Sequence, residues 1–463
     1  MRRLSGRGHF RAFVAPGGYH RAPFRREMSM VRGAIRGRTG EELLHDLEEF
    51  IPGGVLYRGK LPDEVRTVFA RGRGSRIWDV DGNEYIDYIL GSGPMILGHA
   101  HPAVTRARQD RVERGTQFMQ PTDVMLKHAR KVMSAIPGAE KIKYAGTGSE
   151  ATFVALRLAR VFTGKTKVLK FEGAFHGTND YVSFSTNPTQ MLPFPQPEPD
   201  TGGIPQGVAD TVLIAPYNDA DQTCEIIRQH KDDLAAVILD PQMRHIAPQQ
   251  EFLDAVRQCT RECGVVFILD EVVTGFRLAW GGAQEVYGID PDLTTLGKAL
   301  GGGIGIGCIV GPDEIMSRLD PAMKAQGQYA QGSGTFTANP LATAAGLTAL
   351  EELEKPGTYD RLREMGARLR DGLRGVCERL EVPALVTSEG PTVDVKFTDR
   401  PEIPDYRSEL HLDHELHGRI GTEMMKRGIF SISGTGFYIS TVHTGPEIDE
   451  TVEVFEAALR ASR

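Results

Sequence analysis

Val265-Val266-Phe267-Ile268-Leu269-Asp270-Glu271 sets five consecutive apolar residues ahead of two acids. A short run with no polar alternation is a strand buried on both faces, as in a parallel sheet covered by helices. Its carboxyl end, where the acids stand, is where open α/β sheets bind ligands. Similar runs recur outward from it at Lys167 to Phe171, Val212 to Ala215, Ala236 to Leu239 and Cys308 to Val310, with helical patterns between them. Glu150 to Phe162 carries Val154, Leu158 and Val161 on one helical face, and Phe252 to Cys263 stops at Gly264. The alternation predicts an α/β fold with a mainly parallel central sheet wrapped by helices.

Toward the N-terminus, Arg76 to Val80 and Glu84 to Ile89 flank Asp81-Gly82 and predict a hairpin. Toward the C-terminus, Asn339-Pro340 opens an Ala-rich helix (Leu341 to Leu353), an Arg-rich amphipathic helix spans Tyr359 to Leu380, and a final strand-and-helix unit runs to Arg463. These shifts divide the chain into a basic leader (1–40), the first part of a small domain (41–100), a large α/β domain (101–340) and a C-terminal α+β part (341–463).

The 463 residues are 40% hydrophobic and 25% charged, which excludes disorder and small disulfide-stapled folds and leaves room for a large enzyme core. No apolar stretch reaches the length of a membrane span. Five cysteines without a paired CxxC set suggest neither a disulfide framework nor a zinc site, so a reducing cytoplasm fits best. Residues 1–40 hold ten arginines against one acid, Glu27, while the rest carries 44 basic and 60 acidic side chains. A leader of this composition reads as a disordered basic tail, an organelle-type presequence, or translated sequence upstream of Met28 or Met30. The acidic body repels phosphate backbones, so nucleic acid is not an expected partner.

Three features carry chemistry. Ala145-Gly146-Thr147-Gly148-Ser149 runs straight into a helix, whose first free N–H groups suit a phosphate; it is neither GxGxxG nor GxxxxGKS. Asp270, at the buried strand's end, needs a cationic partner, either an arginine such as Arg277 or a protonated cofactor nitrogen. Lys298 stands in Leu296-Gly297-Lys298-Ala299-Leu300-Gly301-Gly302-Gly303, an apolar, glycine-rich setting that favours a free amine able to attack a carbonyl. A phosphate cradle, an acid at a strand end and a desolvated lysine together describe pyridoxal 5′-phosphate better than any other cofactor.

The motifs Asp270-Glu271-Val272-Val273-Thr274-Gly275-Phe276-Arg277, Asp292 to Lys298, and Gly334-Thr335-Phe336-Thr337-Ala338-Asn339-Pro340 resemble the class III pyridoxal-phosphate aminotransferases. They are most similar to the branch holding glutamate-1-semialdehyde aminomutase and the β-amino acid aminotransferases. The resemblance, from about Ile51 onward, implies fold type I, with a smaller α+β domain built from the chain ends. It implies that Lys298 binds the cofactor as a Schiff base and moves the proton between Cα and C4′, while Asp270 keeps the pyridine nitrogen protonated. Phe175 would stack on the ring, with His176 beside it, and Val272 would press on the other face. Thr147, Gly148 and Ser149 would bind the phosphate, and Thr335 would reach it from a second subunit of a homodimer.

Departures from the resemblance fall in the substrate pocket. Ser92 stands where the aminomutase has tryptophan, Gly434 where it has glutamate, and Thr435 where some β-amino acid enzymes have a second arginine. Arg58, with Lys60 competing, lies near the position of a carboxylate-binding arginine, whose planar fork suits that group. The expectation is therefore an aminotransferase that passes an amino group from a carboxylate-bearing donor to a 2-oxo acid by a ping-pong route. The alternative is glutamate-1-semialdehyde 2,1-aminomutase, which works within one molecule toward tetrapyrrole synthesis.

Overall fold

The computed structural model describes residues 39–55, 61–432 and 434–463. These fall in two units that part between Lys60 and Leu61. In the first, a helix spans Gly40–Phe50 and a short 3-10 turn spans Pro52–Gly54. Thr39 starts the helix by a reciprocal cap: its Oγ1 accepts from Glu42 N–H at 3.3 Å, and its own N–H donates to Glu42 Oε2 at 3.0 Å. The leader up to residue 38, and Arg58 and Lys60, lie outside the described residues.

The second unit is built on a seven-stranded sheet. Edge to edge it runs Lys141–Ala145, Gly307–Gly311, Leu293–Leu296, Val266–Glu271, Leu234–Leu239, Lys167–Phe171 and Val212–Ala215. All neighbours are parallel except around Gly307–Gly311, which is antiparallel to both of its partners. Val266–Glu271 occupies the middle, and Val266 to Leu269 are at most 3% exposed. Each such side chain contributes roughly 1.5 to 3 kcal/mol of burial free energy. The strand extends past its predicted end, so Asp270 and Glu271 are its last rungs, paired with Thr295 and Leu296.

Alternation sends these two acids to opposite faces. Glu271 turns to the N-terminus of helix Gly282–Tyr287, accepting from the N–H groups of Ala283 and Gln284 at 2.8 Å and from Thr274 Oγ1 at 2.7 Å. Asp270 is left for the other face, where helix Gly148–Thr163 covers the sheet. That helix is capped by Thr147, whose Oγ1 accepts from Glu150 N–H at 3.2 Å, and stops at Gly164 in a left-handed conformation (φ 70°).

Two smaller sheets accompany it, and the first joins the two ends of this unit. Phe69–Arg73, Arg76–Asp79 and Glu84–Asp87 form an antiparallel set to which Ile429–Phe430 adds in parallel. The hairpin turn at Asp81-Gly82 is drawn in by Asp79, whose Oδ1 accepts from the N–H groups of Asp81 (3.1 Å) and Asn83 (2.8 Å). Ala384–Glu389, Thr392–Phe397 and Gly436–Tyr438 make an antiparallel three-stranded sheet, with helix His414–Lys426 between its last two strands in the chain and helix Gly445–Ser462 after them. This corrects the simple strand-and-helix ending expected from sequence. The Ala-rich helix Pro340–Leu353 packs on helices Pro102–Val112 and Asp123–Ala135 and shares one core with them, and a domain boundary near Pro340 remains a proposal.

Candidate active site

At the carboxyl ends of the central strands a cavity of about 340 Å³ opens. Every cofactor residue expected from sequence lines it except Thr335. Lys298 enters one glycine after strand Leu293–Leu296 and takes a left-handed backbone (φ 46°), a conformation that a residue with a side chain holds only under constraint. Two residues further on, the carbonyl of Leu300 meets His128, a fully buried side chain that bridges it (Nε2, 3.1 Å) and Tyr144 hydroxyl (Nδ1, 2.7 Å). A carbonyl only accepts, so Nε2 carries the proton and Nδ1 accepts from Tyr144. Burial pushes this imidazole down to about 4, keeping it neutral. Burial, and then the charge of Arg277, bring the Lys298 amine down to about 8 against the opposing pull of Asp240 and Asp270.

Asp270 is held on both oxygens. Its Oδ2 lies 2.7 Å from His176 Nδ1, and its Oδ1 accepts from Thr295 Oγ1 at 3.0 Å and from Val272 N–H at 3.2 Å. His176 is itself buried, and its Nε2 has no partner among the described residues. Of the two partners that the sequence leaves open for Asp270, Arg277 does not pair with it. Arg277 turns instead to the carbonyls of Gly93 and Ile439 and to the ring of Tyr438. Asp240, which sequence reading missed, also lines the cavity; burial, then the neighbouring Asp270, raise it to about 6. The signal was present, since Asp240 follows the apolar run Ala236 to Leu239 as Asp270 follows Val265 to Leu269.

The turn at Thr147-Gly148-Ser149 depends on glycines that let backbone and side chains close in. A Cβ on Gly148 would stand 2.6 Å from Val272 Cγ1, and one on Gly177 or Gly307 would run into Ser149 or the Thr147 carbonyl. The first-turn N–H groups of Gly148 and Ser149 have no carbonyl one turn earlier, and both residues line the cavity. Ser149 Oγ accepts from Thr178 N–H at 2.8 Å, which ties the loop after Phe175 to this turn. Phe175 lines the cavity and is 40% exposed. A planar ring, an anionic tail and a basic ring nitrogen fit these groups.

The substrate-side residues are less gathered. Ser92 is exposed, in a left-handed conformation (φ 67°), and is not among the lining residues. Gly434 packs on Gly421 of helix His414–Lys426 so closely that a Cβ would collide with it. Thr435 is buried, with its N–H on Ile432 carbonyl (3.1 Å) and its carbonyl on Val395 N–H (3.0 Å). Thr335 is exposed, and its carbonyl accepts from Gln117 Nε2.

Residues 60–441 match the family model for aminotransferase class III. The chain belongs to that family. Class III aminotransferases depend on pyridoxal 5′-phosphate and share fold type I, in keeping with the cavity and sheet described above. The chain is 40% identical over 393 residues to the glutamate-1-semialdehyde 2,1-aminomutase of Persephonella marina, covering 83% of this chain and 89% of that protein. It is 40% identical over 430 residues to glutamate-1-semialdehyde 2,1-aminomutase 2 of Brevibacillus brevis, covering 90% and 97%. Among solved structures, an omega-transaminase from Sphaerobacter thermophilus matches with a TM-score of 0.87 and 35% identity, covering 92% of this class III chain and 98% of the other. Among the described residues, no helix is long and apolar enough to cross a membrane, and no acid, His and Cys cluster suits a metal ion.

Proposed function

We propose that this class III enzyme moves an amino group within glutamate 1-semialdehyde, from carbon 2 to carbon 1. The observation that carries this reading is the 40% identity to two aminomutases over most of both chains. It reverses the order expected from sequence, where the pocket departures put transfer between two molecules first.

When bound, pyridoxal 5′-phosphate supplies an aldehyde that takes up amines and a ring that draws electrons from the substrate carbon. The chain's own residues do the rest. Gly148 and Ser149, with the positive end of their helix, hold the phosphate, assisted by Thr147. Phe175 and Val272 would bracket the ring. Asp270, fixed by His176 and Thr295, would present its carboxylate to the ring nitrogen. Lys298 would hold the cofactor and, once freed, would move the proton at the substrate carbon, a task that needs its free amine. Thr335, exposed in one chain, would serve the phosphate site of a second copy, so the working form is a homodimer; the free cysteines favour the cytoplasm as its place. Arg58, with Lys60 as second candidate, would take the substrate carboxylate.

A second reading, transfer from a carboxylate-bearing donor to a 2-oxo acid, is favoured by Gly434. Its packing on Gly421 leaves no room for the acid that the resemblance puts there in an aminomutase. The similarity to an omega-transaminase supports it too. One assay separates the two: glutamate 1-semialdehyde without acceptor, against α-amino acids, β-amino acids and simple amines with 2-oxoglutarate or pyruvate. Acceptor-free conversion of the semialdehyde supports the mutase; an absolute requirement for a 2-oxo acid refutes it.

A further inference from the structure

Arg277 is fully buried, yet no acidic side chain pairs with it among the described residues. Its Nη2 donates to Gly93 carbonyl, and its Nη1 donates to Ile439 carbonyl at 3.4 Å. Its guanidinium carbon lies 4.8 Å from the centre of the Tyr438 ring, and its Nε has no partner. The far neighbour of Tyr438 is His245, stacked at 5.6 Å and held neutral by burial. Two carbonyls, an aromatic face and a neutral imidazole leave the positive charge uncompensated, an expensive arrangement that an apolar side chain of similar volume would avoid. The burial cost is large enough to bring even this guanidinium down to about 10.

The charge stands beside the reacting lysine. A Cβ built on Gly93 would lie 3.7 Å from Arg277 Nη2 and 3.6 Å from Lys298 Cδ, so both side chains approach one point. Gly93, with no side chain and φ 103°, keeps that point clear. We propose that Arg277 is a positioning residue whose unpaired charge keeps the Lys298 amine in the free form that attacks carbonyls. The opposing groups are Asp240 and Asp270, from two neighbouring strand ends, both of which hold the proton on; His176 sits against Asp270 and within the field of Asp240. With burial and Arg277 together the amine titrates near 8; without Arg277 the two acids remain and the amine becomes more basic.

The proposal rests on Lys298 being the amine that takes the cofactor. The test uses the full-length chain freed of cofactor and labelled with trace acetic anhydride from pH 6 to 11, the Lys298 peptide being quantified by mass. In the wild type, half-maximal labelling is expected near pH 8. Arg277→Gln should raise that midpoint by about one unit or more. Arg277→Lys, which loses the planar fork but keeps a charge, should restore most of the lower value, whereas a purely structural role would leave both variants at the wild-type midpoint. A wild-type midpoint near the ordinary 10.5 overturns the proposal even if no variant folds, as does an unmoved midpoint in folded Arg277→Gln. The identity of the reacting amine is read separately, by borohydride fixation of pyridoxal phosphate and mapping of the labelled peptide. A label on another lysine would refute that assignment without touching the titration result.

Discussion

Replacing Asp240 by Asn should make the cofactor-free protein more stable at neutral pH, although it removes a charged group from the cavity. Burial raises this acid from 3.8 to about 6, with Asp270 adding to the shift, so the folded protein disfavours its ionised form. At about 1.4 kcal/mol per unit the difference of roughly two units corresponds to about 3 kcal/mol. The sign follows from proton counts. Between pH 3.8 and 6 the folded state retains a proton that the unfolded state has released, so stability falls as pH rises through that window and levels off above it. Asn resembles the protonated acid and escapes the loss. The gain should be near zero at pH 4, grow through pH 6, and reach about 3 kcal/mol at pH 7. With an unfolding entropy of about 2.1 cal/mol/K per residue over roughly 400 residues, that is a melting shift of about 3 to 4 °C. Differential scanning calorimetry of both proteins from pH 4 to 8 checks it. An Asp240→Asn protein less stable than wild type at pH 7, or a shift that does not depend on pH, would refute the reasoning.

Lys298→Ala should lose turnover by several orders of magnitude and take no borohydride-fixed cofactor, while still binding pyridoxal phosphate through the cradle, as absorbance after gel filtration would show. Gly148→Ala places a methyl 2.6 Å from the stiff side chain of Val272, and overpacking of about 1 to 3 kcal/mol should weaken cofactor retention roughly tenfold or more, read by equilibrium dialysis. Mixing Thr335→Ala with Lys298→Ala protomers should restore activity above either parent, because one of the two sites in a heterodimer would carry neither lesion; no recovery after proven subunit exchange would count against a shared site.

What could be read from the sequence divides along a physical line. Val265 to Leu269 is apolar at every position because both faces of its strand are covered, so a local pattern reports a global position, and Asp270 inherits its place at the strand end. Lys298 was legible for a related reason, since glycines on both sides of an apolar turn mark a backbone pressed close to something. The edge strand Lys141–Ala145, whose first two lysines bracket Ile142, hides this way of reading, because its polar positions dilute the apolar run. The reversed direction of Gly307–Gly311 lies in no local pattern.

Arg277 shows the limit most clearly. Seven residues from Asp270 in a turn, it looks like the counter-ion for that acid, and nothing nearby in sequence argues otherwise. Its true partners, Gly93, Tyr438 and Ile439, come from segments more than 150 positions away in either direction. Local chemistry identifies which groups need a partner; the packing of segments far apart in the chain decides which partner each receives. For Asp270 the outcome is a histidine and a threonine, and for Arg277 it is a pair of carbonyls that leave its charge for the lysine beside it.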